Sequence, residues 1–180
     1  MAYKGNFRLF ENPDKYIGDI DNVTYRSLWE RNVMRWLDSN PDVVEWGSEE
    51  ISIPYEHPVR GGKAKYYPDF IVKWTNGQIK LIEVKPYTQT LRPVQPSRQT
   101  QKYIKDVMTY AVNQSKWAAA QEFCDKNKII FELWTEVKLK KIGILSWEVD
   151  QAVLMQESKN VNKPKLKQFG KKPNRPKRRS

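Results

Sequence analysis

Two runs rich in β-branched and aromatic residues, 66–74 and 78–85, flank Asn76-Gly77. Strand-forming runs joined through Asn-Gly predict an antiparallel hairpin. Two turns are open to it. A two-residue type I′ turn pairs Thr75 with Gln78 and sets Asp69 opposite Val84, so Asp69 and Glu83 face opposite sides. A three-residue loop, Thr75-Asn76-Gly77, pairs Trp74 with Gln78 and makes Gly77 a left-handed bulge residue. Asp69 then lies opposite Glu83, and Asp69, Glu83 and Lys85 share one face. Both registers leave apolar residues on each side, so hydrophobicity does not choose.

Other elements can be placed around the hairpin. Residues 7–21 hold Asn12-Pro13 and Gly18-Asp19 and read as an irregular leader. Thr24–Asp38 reads as a helix, with Leu28, Trp29, Val33, Trp36 and Leu37 at helical spacing and Asn40-Pro41 as its stop. Val43-Val44 and Ile51-Ser52-Ile53 read as short strands, the second ended by Pro54. Residues 97–127 read as mostly helical, with a break near Asn113. Residues 129–135 read as a strand, and 141–155 as a helix. This order predicts one α/β domain around a mixed sheet, residues 1–155. Residues 156–180 are polar, with little to bury, and are expected to be a disordered tail.

Composition narrows the chemistry. The chain has one cysteine, Cys124, and one histidine, His57. These cannot build a His/Cys zinc site, which takes about four ligands. His57 sits in the turn-like His57-Pro58-Val59-Arg60-Gly61-Gly62 and reads as a loop residue, which argues against hydrolases built on histidine. Chemistry must come from carboxylates and lysines. No run approaches the roughly 18 apolar residues of a membrane span, and the first residues lack the apolar stretch of a signal peptide.

The net charge of +11 is unevenly placed. Residues 156–180 carry ten Lys and Arg and one acid, Glu157, which leaves the body near +2 and the tail near +9. Such a tail suits a polyanion, DNA or RNA first. Its candidate contacts are Lys163, Lys165, Lys167, Lys171, Lys172, Arg175, Lys177, Arg178 and Arg179. The bland reading is a solubilising or docking extension.

The candidate site is Tyr67-Pro68-Asp69-Phe70, a hairpin turn, then Ile82-Glu83-Val84-Lys85. Like charges opposite each other on paired strands are destabilising unless a cation lies between them. Two oxygen ligands at this spacing suit Mg2+, with Mn2+ as a substitute, because magnesium keeps several waters and takes few protein ligands. A lysine beside the cation can orient a water or neutralise a phosphoryl transition state. Read plainly, Asp69 and Glu83 are ordinary strand-end charges. Glu30 borders the apolar face of the first helix, with Val33, Met34 and Leu37 beyond it, where a lone carboxylate is costly unless paired. It is read either as a fourth site residue or as the Glu of a capping box with Ser27. An earlier helix start, capped by Thr24, favours the first, and Asp69, Glu83, Lys85 and Glu30 are then expected to converge on the sheet face covered by the Thr24–Asp38 helix.

With Glu30, Asp69, Glu83 and Lys85 in this order, the chain resembles the PD-(D/E)XK nuclease superfamily. Arg26-Ser27-x-x-Glu30 resembles the TnsA-like transposon endonucleases. Over about Tyr3–Thr135 the chain is similar to the head completion nucleases of T-even-like tailed phages. Asn12-Pro13-Asp14-Lys15-Tyr16-Ile17-Gly18-Asp19, Tyr25-Arg26-Ser27-Leu28-Trp29-Glu30, Glu45-Trp46-Gly47-Ser48-Glu49-Glu50 and Ile53-Pro54-Tyr55 carry that likeness.

The resemblance implies a restriction-endonuclease-like core, a mixed sheet flanked by helices. It implies Asp69 and Glu83 as metal ligands with the Val84 carbonyl as a third, Lys85 as catalytic lysine and Glu30 as helix acid. It adds Arg26 to the DNA contacts and a polar residue of the following helix, with Gln101, Lys102, Lys105 and Lys116 in competition. It implies a magnesium-dependent endonuclease acting on double-stranded DNA at phage head completion, in the virion or host cytoplasm, with head, portal or neck proteins as partners. Other readings are a transposon-type or junction-resolving nuclease, a DNA-binding head–tail plug that never cuts, and a ribosomal-type RNA binder. The last leaves Glu30, Asp69 and Glu83 unexplained.

Overall fold

The computed structural model describes residues 4–8 and 10–146. One compact unit ends at Leu145. The boundary expected after Met155, most of the helix expected over 141–155, and the basic tail lie outside the described residues.

A four-stranded sheet forms the centre. Its strands are β3 (Val43–Ser48), β6 (Phe70–Trp74), β7 (Ile79–Val84) and β8 (Ile130–Trp134), in that spatial order. The first three run antiparallel, and β8 lies parallel to β7. A parallel neighbour needs a crossover. Here it is α3 (Gln101–Asn127), preceded by the single turn α2 (Tyr87–Thr90). The result is the mixed sheet and flanking helices of a restriction-endonuclease-like fold.

The hairpin adopts the three-residue loop. Trp74 N–H donates to the Gln78 carbonyl and Gly77 N–H to the Trp74 carbonyl, each at 2.9 Å. Gly77 has φ +80°, a conformation that costs a glycine little. The pairs run from Lys73–Ile79 to Phe70–Ile82. The upstream run is two strands, not one. β5 (Lys63–Tyr66) pairs with β4 (Ile53–Glu56) as a separate ribbon, and Tyr67-Pro68-Asp69 leads from it into β6. Pro54 lies inside β4 instead of ending it. In a two-stranded ribbon alternate N–H groups point outward, so a proline there loses no ladder bond.

Both sheet faces are buried. On one, α1 (Leu28–Ser39) sets Val33, Met34 and Leu37 against Trp46, Phe70, Val72, Ile82, Val84 and Trp134. On the other, α3 and the β4–β5 ribbon pack Ala120, Cys124, Ile53, Tyr55 and Tyr66 on Leu81, Ile71 and Phe131. α3 is unbroken at Asn113, which is buried and sits in continuous helix.

The leader packs through Phe7, Phe10 and Tyr16 around Trp46. A bridge joins Tyr16 and Trp46, and Ile17 N–H donates to the Trp46 carbonyl at 2.8 Å. Gly47 allows this approach, since a Cβ there would lie 2.9 Å from the Ile17 carbonyl oxygen. The last helix among the described residues is α4 (Glu136–Lys141), which buries Leu139. Among the described residues no helix is long and apolar enough to cross a membrane.

The first helix starts later than Thr24. Thr24–Tyr25 forms β2, paired with β1 (Gly5–Asn6), and Ser27 caps α1. Thr24 and Ser27 are both competent caps, and the pairing of Thr24 with Asn6 decides between them.

Candidate active site

One step beyond the Phe70–Ile82 pair, the register sets Asp69 opposite Glu83. Asp69 Oδ2 accepts the Val84 N–H at 2.7 Å. Lys85 Nζ lies 2.9 Å from Glu83 Oε1. Tyr66 Oη donates to Glu83 Oε2 at 2.7 Å. The hairpin thus gathers Asp69, Glu83 and Lys85 at one end of the sheet.

The face is not the one expected. Ile82 and Val84 point to α1, so Glu83 and Lys85, in alternation, point with Leu81 to the side of α3 and the ribbon. A strand apolar on both faces carries no mark of which helix covers which side. Tyr66 of the ribbon reaches Glu83 because the two share that side.

The electrostatics follow from this crowding. Burial and the Glu83 carboxylate hold Asp69 well above its usual ionisation range, against the pull of Lys85 and the Val84 N–H. Burial works against charge on Lys85, yet Glu83, Asp69 and Glu30 hold its ammonium above the ordinary value. Burial, then Glu83, pushes the Tyr66 phenol far up, so it stays a proton donor. The site is a pair of opposed carboxyl groups with one ammonium 2.9 Å from Glu83.

Glu30 lies within electrostatic reach of Asp69 and Lys85 but is turned to the start of α1. Its Oε2 accepts the Arg26 N–H at 2.7 Å, its Oε1 accepts the Ser27 hydroxyl at 2.8 Å, and its own N–H donates to Ser27 Oγ at 3.1 Å. The capping reading holds for its hydrogen bonds, shifted one residue, because the carboxylate takes the Arg26 amide rather than that of Ser27. Arg26 grips Glu49 through two nitrogens, at 3.1 Å and 2.7 Å. Glu49 hydrogen bonding raises the Arg26 pKa further, with Glu30 and Asp69 adding to it.

Two residues beside the site carried no sequence signal for it. Glu49 has φ 57°, unusual for a residue with a side chain, and its N–H donates to the Asp69 carbonyl at 3.2 Å. Tyr66 reaches Glu83 only because the ribbon folds back. Of the four α3 candidates, Lys116 lies with its Nζ 5.5 Å over the Tyr66 ring, whereas Lys102 pairs with Asp106 on an exposed surface.

Among the described residues no group of three or more His, Cys, Asp and Glu side chains is arranged to hold a metal ion. Asp69 and Glu83, opposed across the hairpin, are the pair of described carboxyl groups that could offer side-chain oxygens to one. Such a sparse set does not fit zinc, which fills most positions with protein ligands. It fits magnesium, which completes its shell with water. The ammonium drawn to Glu83 marks where positive charge is favoured.

A strand acid opposite Glu-x-Lys on a mixed sheet, with a helix acid nearby, defines a PD-(D/E)XK-type nuclease. Residues 40–136 match the family described as TnsA-like endonuclease N terminal. The chain is 40% identical over 147 residues, 79% of its length, to the head completion nuclease of Enterobacteria phage T4, 97% of which is covered. The chain belongs to the TnsA-like endonuclease family, of PD-(D/E)XK type.

Proposed function

We propose that this protein is a magnesium-dependent DNA endonuclease that acts at phage head completion, on or near the packaged DNA end before tail attachment. The carrying observation is Asp69 opposite Glu83, with Lys85 Nζ 2.9 Å from Glu83. The extent of the likeness to the head completion nuclease of phage T4 supports the setting. It also supports double-stranded DNA as substrate, head, portal or neck proteins as partners, and the virion or host cytoplasm as location.

In this reading Asp69, Glu83 and the Val84 carbonyl would hold Mg2+, and Mn2+ could replace it. When bound, the cation acidifies a water and offsets charge on a phosphoryl oxygen. Lys85, whose Nζ lies 2.9 Å from Glu83 Oε1, would orient the water or neutralise a phosphoryl oxygen as charge develops. Arg26 neutralises a neighbouring phosphate, and Glu49 fixes its direction. Glu30 keeps the first turn of α1, and with it Arg26, at the edge of the site.

The test is supercoiled plasmid incubated with the full chain in Mg2+, in Mn2+ and in EDTA. Cutting in both cations and none in EDTA is expected. DNA binding without cutting in any condition would favour the head–tail plug.

A further inference from the structure

Glu83 has both carboxylate oxygens engaged, by groups that differ in how easily they leave. Lys85 on Oε1 has a long side chain 27% exposed, which can swing to solvent. Tyr66 on Oε2 cannot. It is 3% exposed, and Glu83 is 4% exposed. The Tyr66 backbone pairs with Ile53, and its ring packs in the cluster of Ile53, Tyr55, Leu81, Ala120 and Cys124. Lys116 lies over that ring, 5.5 Å from its centre. A cation over the face of a phenol draws electron density from it and strengthens the hydroxyl as a donor.

We propose that Tyr66 is a positioning residue that reserves Glu83 Oε2, confines Glu83 to ligation through Oε1 alone, and so selects a small divalent cation over a large one. The inference rests on the magnesium reading and adds to it the origin of cation choice. Calcium takes about six to eight oxygens and often grips a carboxylate by both, whereas magnesium takes about six in a tight octahedron and accepts single oxygens. Two-oxygen ligation by Glu83 would have to share Oε2 with a 2.7 Å hydrogen bond from a phenol that has nowhere to turn, on an oxygen whose electron density that bond already draws. The oxygen held by Lys85 is the one a cation can claim by displacing another positive charge.

The experiment is calorimetric titration of the full chain with MgCl2 and with CaCl2, for wild type and Tyr66→Phe. The variant removes only the hydroxyl. Its magnesium-to-calcium affinity ratio is expected to move about tenfold toward calcium, the scale of one buried hydrogen bond. A ratio taken on one preparation does not depend on the fraction folded. If Tyr66→Phe does not fold, infrared difference spectra of wild type with each cation, assigned by Glu83→Gln, replace it. Single-oxygen carboxylate bands with both cations support the proposal. An unchanged ratio in folded Tyr66→Phe, or a two-oxygen Glu83 band with calcium, overturns it. Wild type that binds neither cation overturns the magnesium reading itself.

Discussion

Lys85 Nζ sits 2.9 Å from Glu83 Oε1, on a carboxylate that faces Asp69 across paired strands. The ammonium offsets a repulsion that the backbone register imposes. It also competes with any metal for the same oxygen.

Lys85→Ala should therefore bind Mg2+ at least as tightly as wild type and cut DNA far more slowly. Loss of its charge in the transition state costs on the order of 3 kcal/mol, about a hundredfold in rate. Calorimetry and single-turnover cleavage check the two halves. A rate equal to wild type would remove Lys85 from the chemistry.

Glu30 combines a cap with a place near the site. Ser27→Ala deletes the acceptor of the Glu30 N–H and should cost about 1 kcal/mol of stability, with cleavage kept. Glu30→Ala should lower both melting temperature and cleavage rate, because Arg26 loses the carboxylate that holds its N–H. If Glu30→Ala matches Ser27→Ala in both measurements, Glu30 is a cap alone.

How much of this was legible from the chain depends on the residue. The hairpin was, and the bulged loop was one of two registers that Asn76-Gly77 allows. The choice needed the Trp74–Gln78 hydrogen bond, which no local pattern encodes. The covering face of Glu83 was not legible, because β7 is apolar on both sides. Local signals place the start of α1 too early, because Thr24 caps as well as Ser27 and is claimed by β1. Tyr66 and Glu49 act through contacts made by the ribbon and by the end of β3, which depend on tertiary packing.

Away from the site, Glu132 gives a pH signature. Burial raises its pKa, but hydrogen bonds from Lys80 and Trp134 outweigh this and hold it below the usual carboxylate range. Its stabilisation is present above the unfolded carboxyl's pKa and is lost as pH falls through the lower folded value. Glu132→Gln should melt below wild type at neutral pH, with the gap closing in acid. A gap constant with pH would assign the effect to packing.

The basic tail makes a prediction from charge alone. Truncation after Met155 removes residues with a net charge near +9. It should weaken DNA binding and flatten its dependence on salt, since fewer counterions are released. Equal affinity and equal salt slope for both forms would show that the tail does not contact DNA.

In the proposed function Asp69 and Glu83 hold the cation on which DNA cutting depends. Asp69→Ala and Glu83→Ala each remove one of two opposed carboxylates but leave the Val84 N–H or the buried Tyr66 hydroxyl without its acceptor, so each should fold with a loss of about 1–3 kcal/mol. The most direct measurement is the rate of plasmid cutting in Mg2+ by these variants beside wild type, at matched folding by circular dichroism. Cutting by wild type and none by either variant is the predicted result. Folded variants that cut as fast as wild type would contradict it.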